Sequence, residues 1–197
     1  MQLVRDFFRE IDQKWSHRTS SKVRLHVIGS GALMLQTNYQ RGTKDSDIFD
    51  TIGLAAEIKQ RLLQLAGANT ELAKRRRMYI DIVANGIPFL PHPPTWHAID
   101  ALNRELAHLE IFALDVIDVV VAKLKPFRAN DKADIDEMIT RGFVPREHLL
   151  ARFRSAADEW AYCAFADHLP KYVQNLNEVE RDMIGAAETE IELPPWI

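Results

Sequence analysis

The sequence predicts an α/β fold of the α+β kind, in which a mixed sheet with flanking helices is followed by a helical carboxy-terminal part. Two observations carry this reading. Between residues 1 and 114, short apolar runs with the two-residue period of strands alternate with stretches of helical period, giving β-α-β-α-β in outline. From Asp115 onward only helical periods recur, bounded by proline or glycine. The chain therefore divides into a sheet-bearing domain, 1–114, and a helical region, 115–197, expected to pack on it.

Leu3, Val4, Phe7, Phe8, Ile11 and Trp15 recur at three- and four-residue spacing, which predicts an amphipathic opening helix with one buried face. After the polar break from Ser16 to Lys22, VRLHVIG turns Val23, Leu25 and Val27 to one side, as a strand does, and ends at glycine. ALMLQ is helix-like and SDIFDTIG a second short strand. LAAEIKQRLLQLAG is a helix closed by Gly67, and MYIDIVANG a third strand ending in an Asn-Gly turn. Pro88, Pro91, Pro93 and Pro94 exclude helix and predict a rigid, exposed connection, after which HLEIFAL supplies a further strand.

In the last part, DVIDVVVAKLK has an acidic first turn and a basic last turn, both suited to the helix dipole, and should end at Pro126. DKADIDEMITR forms a second helix stopped by Gly142. Pro145 opens a third, VPREHLLARFRSAADEW, and at least one more follows.

Composition excludes several function classes. The formal net charge of −3 leaves no global field to draw the chain onto a polyanion, so any nucleic-acid contact must be focal. Lys74 to Arg77 is a run of four cations read as a solvated loop, although its position before a strand also suits an RNA phosphate. The single cysteine, Cys163, allows no intrachain disulfide, and His92, His97, His108 and His148 lack the spacing of a zinc site. The opening residues lack the unbroken apolar stretch of a signal peptide, and no window reaches the ~18 apolar residues of a membrane span. A cytoplasmic location without a membrane partner is expected.

The chemistry concentrates in VIGSGALMLQTNYQRGTKDSDIFD. Gly29 and Ser30, at the end of a strand and the start of a helix, offer backbone N–H groups and a hydroxyl at a positive helix terminus, which suits a phosphate. Arg41, Thr43, Asp45 and Asp47 occupy alternate positions leading into a strand, so their side chains share a face. Two neighbouring carboxylates repel each other unless a cation lies between them. The hard oxygen ligands favour Mg2+, or Mn2+ in its place. Asp81, among the apolar residues of MYIDIV, reads as an acid in a buried strand that needs a partner or a metal. Beside Asp45 and Asp47 it completes a three-carboxylate arrangement able to place two metals for in-line phosphoryl transfer. Plainer readings stand beside these: a glycine turn of purely structural use, two solvated acids, and an edge-strand acid facing water.

The strand, Gly29-Ser30, the helix and Arg41-x-Thr43-x-Asp45-x-Asp47 resemble the signature of the polymerase-β-type nucleotidyltransferase superfamily. The spacing, with residues 31 to 44 between the serine and the first aspartate, and Ala32 resemble its AbiEii-type toxin and minimal nucleotidyltransferase branch. AKLKPFRANDKADIDEM is similar to the Lys-x-x-x-x-Arg-x-x-Asp-x-x-Asp segment of that branch, here Lys123, Arg128, Asp131 and Asp134. The likeness spans roughly residues 22 to 139 and departs from the pattern at Gly31, which makes the turn richer in glycine.

The resemblance implies that 1–114 is a nucleotidyltransferase-like catalytic domain. Gly29, Ser30, Arg41, Thr43 and Lys123 would bind a nucleoside triphosphate, with Ser30 at the β/γ phosphates. Asp45 and Asp47 would hold metal, joined by Asp81, which would also activate the attacking hydroxyl. The expected activity transfers a nucleoside monophosphate to a hydroxyl of RNA, protein or a small molecule, in a toxin-antitoxin or phage-defence setting with an antitoxin as candidate partner. The alternative is an inactive binding module on the same fold. DSDIFDT also matches the nucleophile motif of haloacid-dehalogenase-like phosphatases, but that motif needs a hydrophobic strand where this chain has YQRGTK.

Overall fold

The computed structural model describes residues 2–16, 21–40, 44–51 and 53–197. The chain separates into two units: Met1–Ile87 with Trp96–Asp115, and Pro88–Thr95 with Val116–Ile197.

The first unit runs α1 (Gln2–Gln13), β1 (Val23–Val27), α2 (Gly29–Gln36), β2 (Asp45–Phe49), α3 (Ala56–Ala66), α4 (Glu71–Arg76), β3 (Tyr79–Val83), β4 (Trp96–Ala98), α5 (Asp100–Asn103) and β5 (Leu109–Leu114). Its five strands lie in the order β3-β2-β1-β5-β4. The sheet is mixed, since β1–β5 and β2–β3 are parallel while β1–β2 and β4–β5 are antiparallel. Strand alternation does the sorting. Leu25, Val27, Ile48, Ile80, Leu109 and Ile111 are buried in one phase, while Arg24, Asp45, Asp47 and Asp81 in the other keep contact with solvent.

α1 buries Val4, Phe7, Phe8 and Ile11 of the predicted stripe, whereas Leu3 is exposed and Trp15, though buried, lies past the end of the helix. Asp12 anchors that end by accepting the backbone N–H groups of Ala107, His108 and Leu109 at 2.8 Å. α2 packs on β2 and β5. A side chain at Gly31 would place its Cβ 3.3 Å from Val27 Cγ1 and 3.4 Å from Ser46 Oγ. The extra glycine of the turn thus faces Val27 and Ser46 at close range, where a larger residue would require them to give by a few tenths of an ångström.

Three local expectations are corrected. The cationic run is no loop: Lys74, Arg75 and Arg76 close helix α4, whose N-terminus Thr70 caps by accepting from Ala73 N, and Arg77 follows in the left-handed conformation. Arg75 and Arg76 pair with Glu10, and Lys74 with Glu71. A short strand, β4, and a one-turn helix, α5, precede β5 where neither was expected. The proline-rich stretch is helix-free but not simply exposed, because Phe89, Leu90 and Pro91 are buried.

The second unit holds α6 (Val116–Lys123), α7 (Ala129–Thr140), α8 (Arg146–Trp160) and α9 (Leu169–Glu178), which continues as a π-helical turn through Val179–Ile184. Phe89 serves its core, with ring centroids 5.5 Å from Phe153 and Trp160 and 5.0 Å from Tyr172. Asp118, fully buried, accepts from Arg152 at 2.6 Å through both oxygens and from Thr95 N at 2.8 Å. α7 starts two residues earlier than predicted, with the Asp131 carboxylate accepting Arg128 N at its first turn. Among the described residues no helix is long and apolar enough to cross a membrane.

Candidate functional site

β1 ends against the first turn of α2, and Gly29 makes the junction. Its φ is +62°, and a Cβ built on it would lie 2.8 Å from Asp47 Oδ2. Both facts call for glycine: the left-handed backbone strains any side chain, and the space is filled by a carboxylate oxygen. Ile28 N donates to Asp47 O at 2.9 Å, fixing the same junction to β2. Ile28 supplies no side-chain cap, so the amides of the first turn of α2 depend on other acceptors, of which a phosphate is one. Ser30, the second residue of α2, is half-buried beside them.

Along β2, Ser46 and Ile48 are buried while Asp45 and Asp47 are half-exposed. The parallel ladder with β3 pairs Asp45 with Tyr79 and Asp47 with Asp81. Residues paired across a ladder share a face, so the three carboxylates stand on one side of the sheet. Tyr79 registers their joint field. Its phenol is pushed above its usual pKa by partial burial and then by Asp45, Asp81 and Asp47.

Asp81 differs from expectation in its surroundings. β3 is an edge strand, and Asp81 is exposed rather than buried, with Oδ1 accepting Ile82 N at 2.9 Å. Among the described residues no three Asp, Glu, His or Cys side chains are grouped as ligands around one point. Register and face thus bring Asp81 beside Asp47, and its side chain is turned back onto its own strand.

Arg41 and Thr43 lie outside the described residues. Lys123 belongs to the second unit, where it is 7% exposed and its Nζ lies 2.9 Å from Asp131 Oδ1 and 2.8 Å from Asp134 Oδ2. That triad ties α6 to α7. Arg128 and Asp131 meet through the Arg128 backbone rather than its guanidinium.

Two residues that sequence reasoning passed over stand on the same face as the carboxylates. His26 occupies the outward phase of β1, paired with Phe49 of β2 and Phe112 of β5, and Trp96 of β4 leans on it. Burial, helped by nearby Arg24 and opposed by Glu110, holds the His26 imidazole below its usual pKa. The signal for His26 lay in VRLHVIG, whose inward positions alone drew attention. Trp96 had none, because three residues show no period.

The family described as nucleotidyltransferase of unknown function (DUF6036) matches residues 5–182 of the chain. No curated protein and no solved structure matches it.

Proposed function

The chain belongs to the DUF6036 family of nucleotidyltransferases, and on that premise we propose that it moves a nucleoside monophosphate from a nucleoside triphosphate to an acceptor hydroxyl with the help of Mg2+ or Mn2+. The observation that carries this reading is the pairing of Asp47 with Asp81 across β2 and β3, beside the glycine whose missing Cβ leaves room for the Asp47 carboxylate.

The residues fit a hard divalent cation. Asp45 and Asp47 present carboxylate oxygens, and after partial burial it is Asp45, Asp81 and Asp47 that push the Tyr79 phenol above its usual pKa, so negative charge gathers on this face. Bound there, the cation would offset charge on the phosphates and on the oxygen that leaves. Gly29 and Ser30 hold the triphosphate at the N-terminus of α2. Asp81, reoriented from Ile82, accepts the proton of the acceptor hydroxyl as its oxygen forms a bond to the α-phosphorus. The bond to pyrophosphate breaks, so the acceptor gains a nucleoside monophosphate and pyrophosphate departs. Lys123 is kept as a nucleotide contact to be tested, alongside its hold on Asp131 and Asp134. We assign the chain to the AbiEii-like branch, with RNA, a protein or a small molecule as acceptor and an antitoxin as the partner to look for.

One observation favours a second reading, a nucleotide-binding module without turnover: Asp81 Oδ1 accepts Ile82 N on its own strand. The deciding experiment incubates the protein and a cell extract with each labelled nucleoside triphosphate and Mg2+. Transfer reads as a labelled acceptor with release of pyrophosphate. Nucleotide binding without labelled product from any triphosphate supports the module.

A further inference from the structure

The sheet face that carries the carboxylates also carries a patch of rings that the transfer chemistry leaves without a role. The His26 ring stacks on Phe112 at 5.3 Å and 16°, and meets Trp96 edge-on at 4.7 Å and 78°. Phe49 lies 5.9 Å from Trp96. Four strands, β1, β2, β4 and β5, therefore contribute one ring each. His26, Trp96 and Phe112 are only partly covered, and aromatic rings left partly open on a sheet face present π surfaces on which planar groups stack.

The position of the patch limits what it can receive. Phe49 follows Asp47 by two residues on the same face of β2, so roughly 7 Å of strand separates the rings from the carboxylates. On the far side of His26 opens a cavity of about 740 Å³, lined among others by Lys22, Arg24, His26, Thr51, Gly53 and Glu110. That volume lies within the range of small-ligand sites. A ligand anchored by phosphates at Gly29 and Asp47 and extended by one sugar would bring its next group onto these rings.

We propose that the faces of His26 and Trp96 are the platform for the nucleobase of the bound nucleoside triphosphate, with the sugar crossing Phe49 and the phosphates reaching Gly29 and Ser30. This rests on the nucleotidyl-transfer reading and adds to it the part of the site that recognises the base. Stacking accepts any base, and the polar groups lining the cavity, Thr51, Arg24 and Glu110, then choose among base edges. The neutral form favoured for His26 suits stacking on an uncharged ring.

The test compares Mg2+-supported binding of each nucleoside triphosphate with that of inorganic tripolyphosphate, which keeps the phosphates and lacks the base. In the wild-type chain the preferred nucleotide should bind more tightly than tripolyphosphate and quench tryptophan fluorescence. Trp96→Ala should weaken the nucleotide about tenfold and leave tripolyphosphate within about twofold. Trp96→Phe should keep most of the affinity and lose the quenching, and it decides the matter if Trp96→Ala fails to fold. Equal loss for both ligands, no loss for either, or unchanged quenching in Trp96→Phe overturns the platform. A wild-type chain that binds nucleotide and tripolyphosphate equally overturns the platform alone, whereas one that binds neither overturns the transfer reading with it.

Discussion

Gly29 holds a backbone conformation that side chains avoid, and the Cβ it lacks would sit 2.8 Å from Asp47 Oδ2. The turn proposed to hold the triphosphate and the Asp47 carboxylate are thus fitted to one another at a single position. Gly29→Ala meets two penalties, about 1 kcal/mol of left-handed strain and a displaced Asp47 carboxylate. The melting temperature should fall by roughly 2–4 °C, while metal-dependent nucleotide binding drops by an order of magnitude or more. A variant that melts lower but binds as before would separate the turn from the site.

Tyr79 offers a spectroscopic view of the same carboxylates. Its phenol is raised by partial burial and then by Asp45, Asp81 and Asp47, and neutralising a negative neighbour lowers the pKa of a phenol. An ultraviolet titration of the tyrosinates, with Tyr79→Phe identifying the signal, should show the midpoint fall in Asp45→Asn, Asp81→Asn and Asp47→Asn. Added Mg2+ should lower it in the wild type and have little effect in the double Asp45→Asn, Asp47→Asn variant. An Mg2+ response that survives in that double variant would place the ion elsewhere.

His26 should make the first unit acid-sensitive. Its folded pKa lies below the usual value, so as pH falls through about 6.5 the unfolded chain takes up a proton before the folded chain does. The contribution of His26 is complete above about pH 6.5 and is lost toward its lower folded value. Denaturant midpoints measured between about pH 7 and pH 5 should decline in the wild type and decline less in His26→Phe. Parallel curves for the two proteins would mean that His26 titrates as it does in the unfolded chain.

Lys123 separates scaffold from nucleotide contact. Its ammonium lies between Asp131 and the fully buried Asp134, so Lys123→Ala strands a buried carboxylate and should cost about 3–5 kcal/mol of stability. Calorimetric melting checks that cost. Nucleotide affinity measured on the same variant, well below its melting point, checks the contact: unchanged affinity with lowered stability leaves Lys123 as the tie between α6 and α7, and a selective loss of affinity gives it both tasks.

How far the sequence was legible varied with how local the determining physics is. The period of two in VRLHVIG was enough to end a strand at a glycine, and the alternation of Arg41, Thr43, Asp45 and Asp47 into SDIFDTIG was enough to put Asp45 and Asp47 on one face. Neither the face of Asp81 nor its exposure could be read locally, because the first depends on the register of β3 against β2 and the second on β3 lying at the edge of the sheet. Prolines excluded helix around Phe89 correctly, but the exposure expected of that stretch fails at Phe89, Leu90 and Pro91, because burial there is decided by the distant rings of Phe153, Trp160 and Tyr172. α4 was hidden by its cations, although the Thr70 cap and buried Leu72 and Ala73 specify it. Trp96 owes its place to pairing with Leu114, a contact no local pattern announces.

The central claim, that the β2 carboxylates hold the cation through which a nucleoside triphosphate binds, is tested most directly by calorimetric titration of each triphosphate into the wild type, Asp45→Asn and Asp47→Asn, with Mg2+ and with a chelator. The account predicts Mg2+-dependent binding of at least one triphosphate to the wild type, lost in both variants by tenfold or more. Melting temperatures should hold or rise, because each substitution relieves repulsion on β2. Equal affinity in wild type and variants, or binding that persists in the chelator, would contradict it.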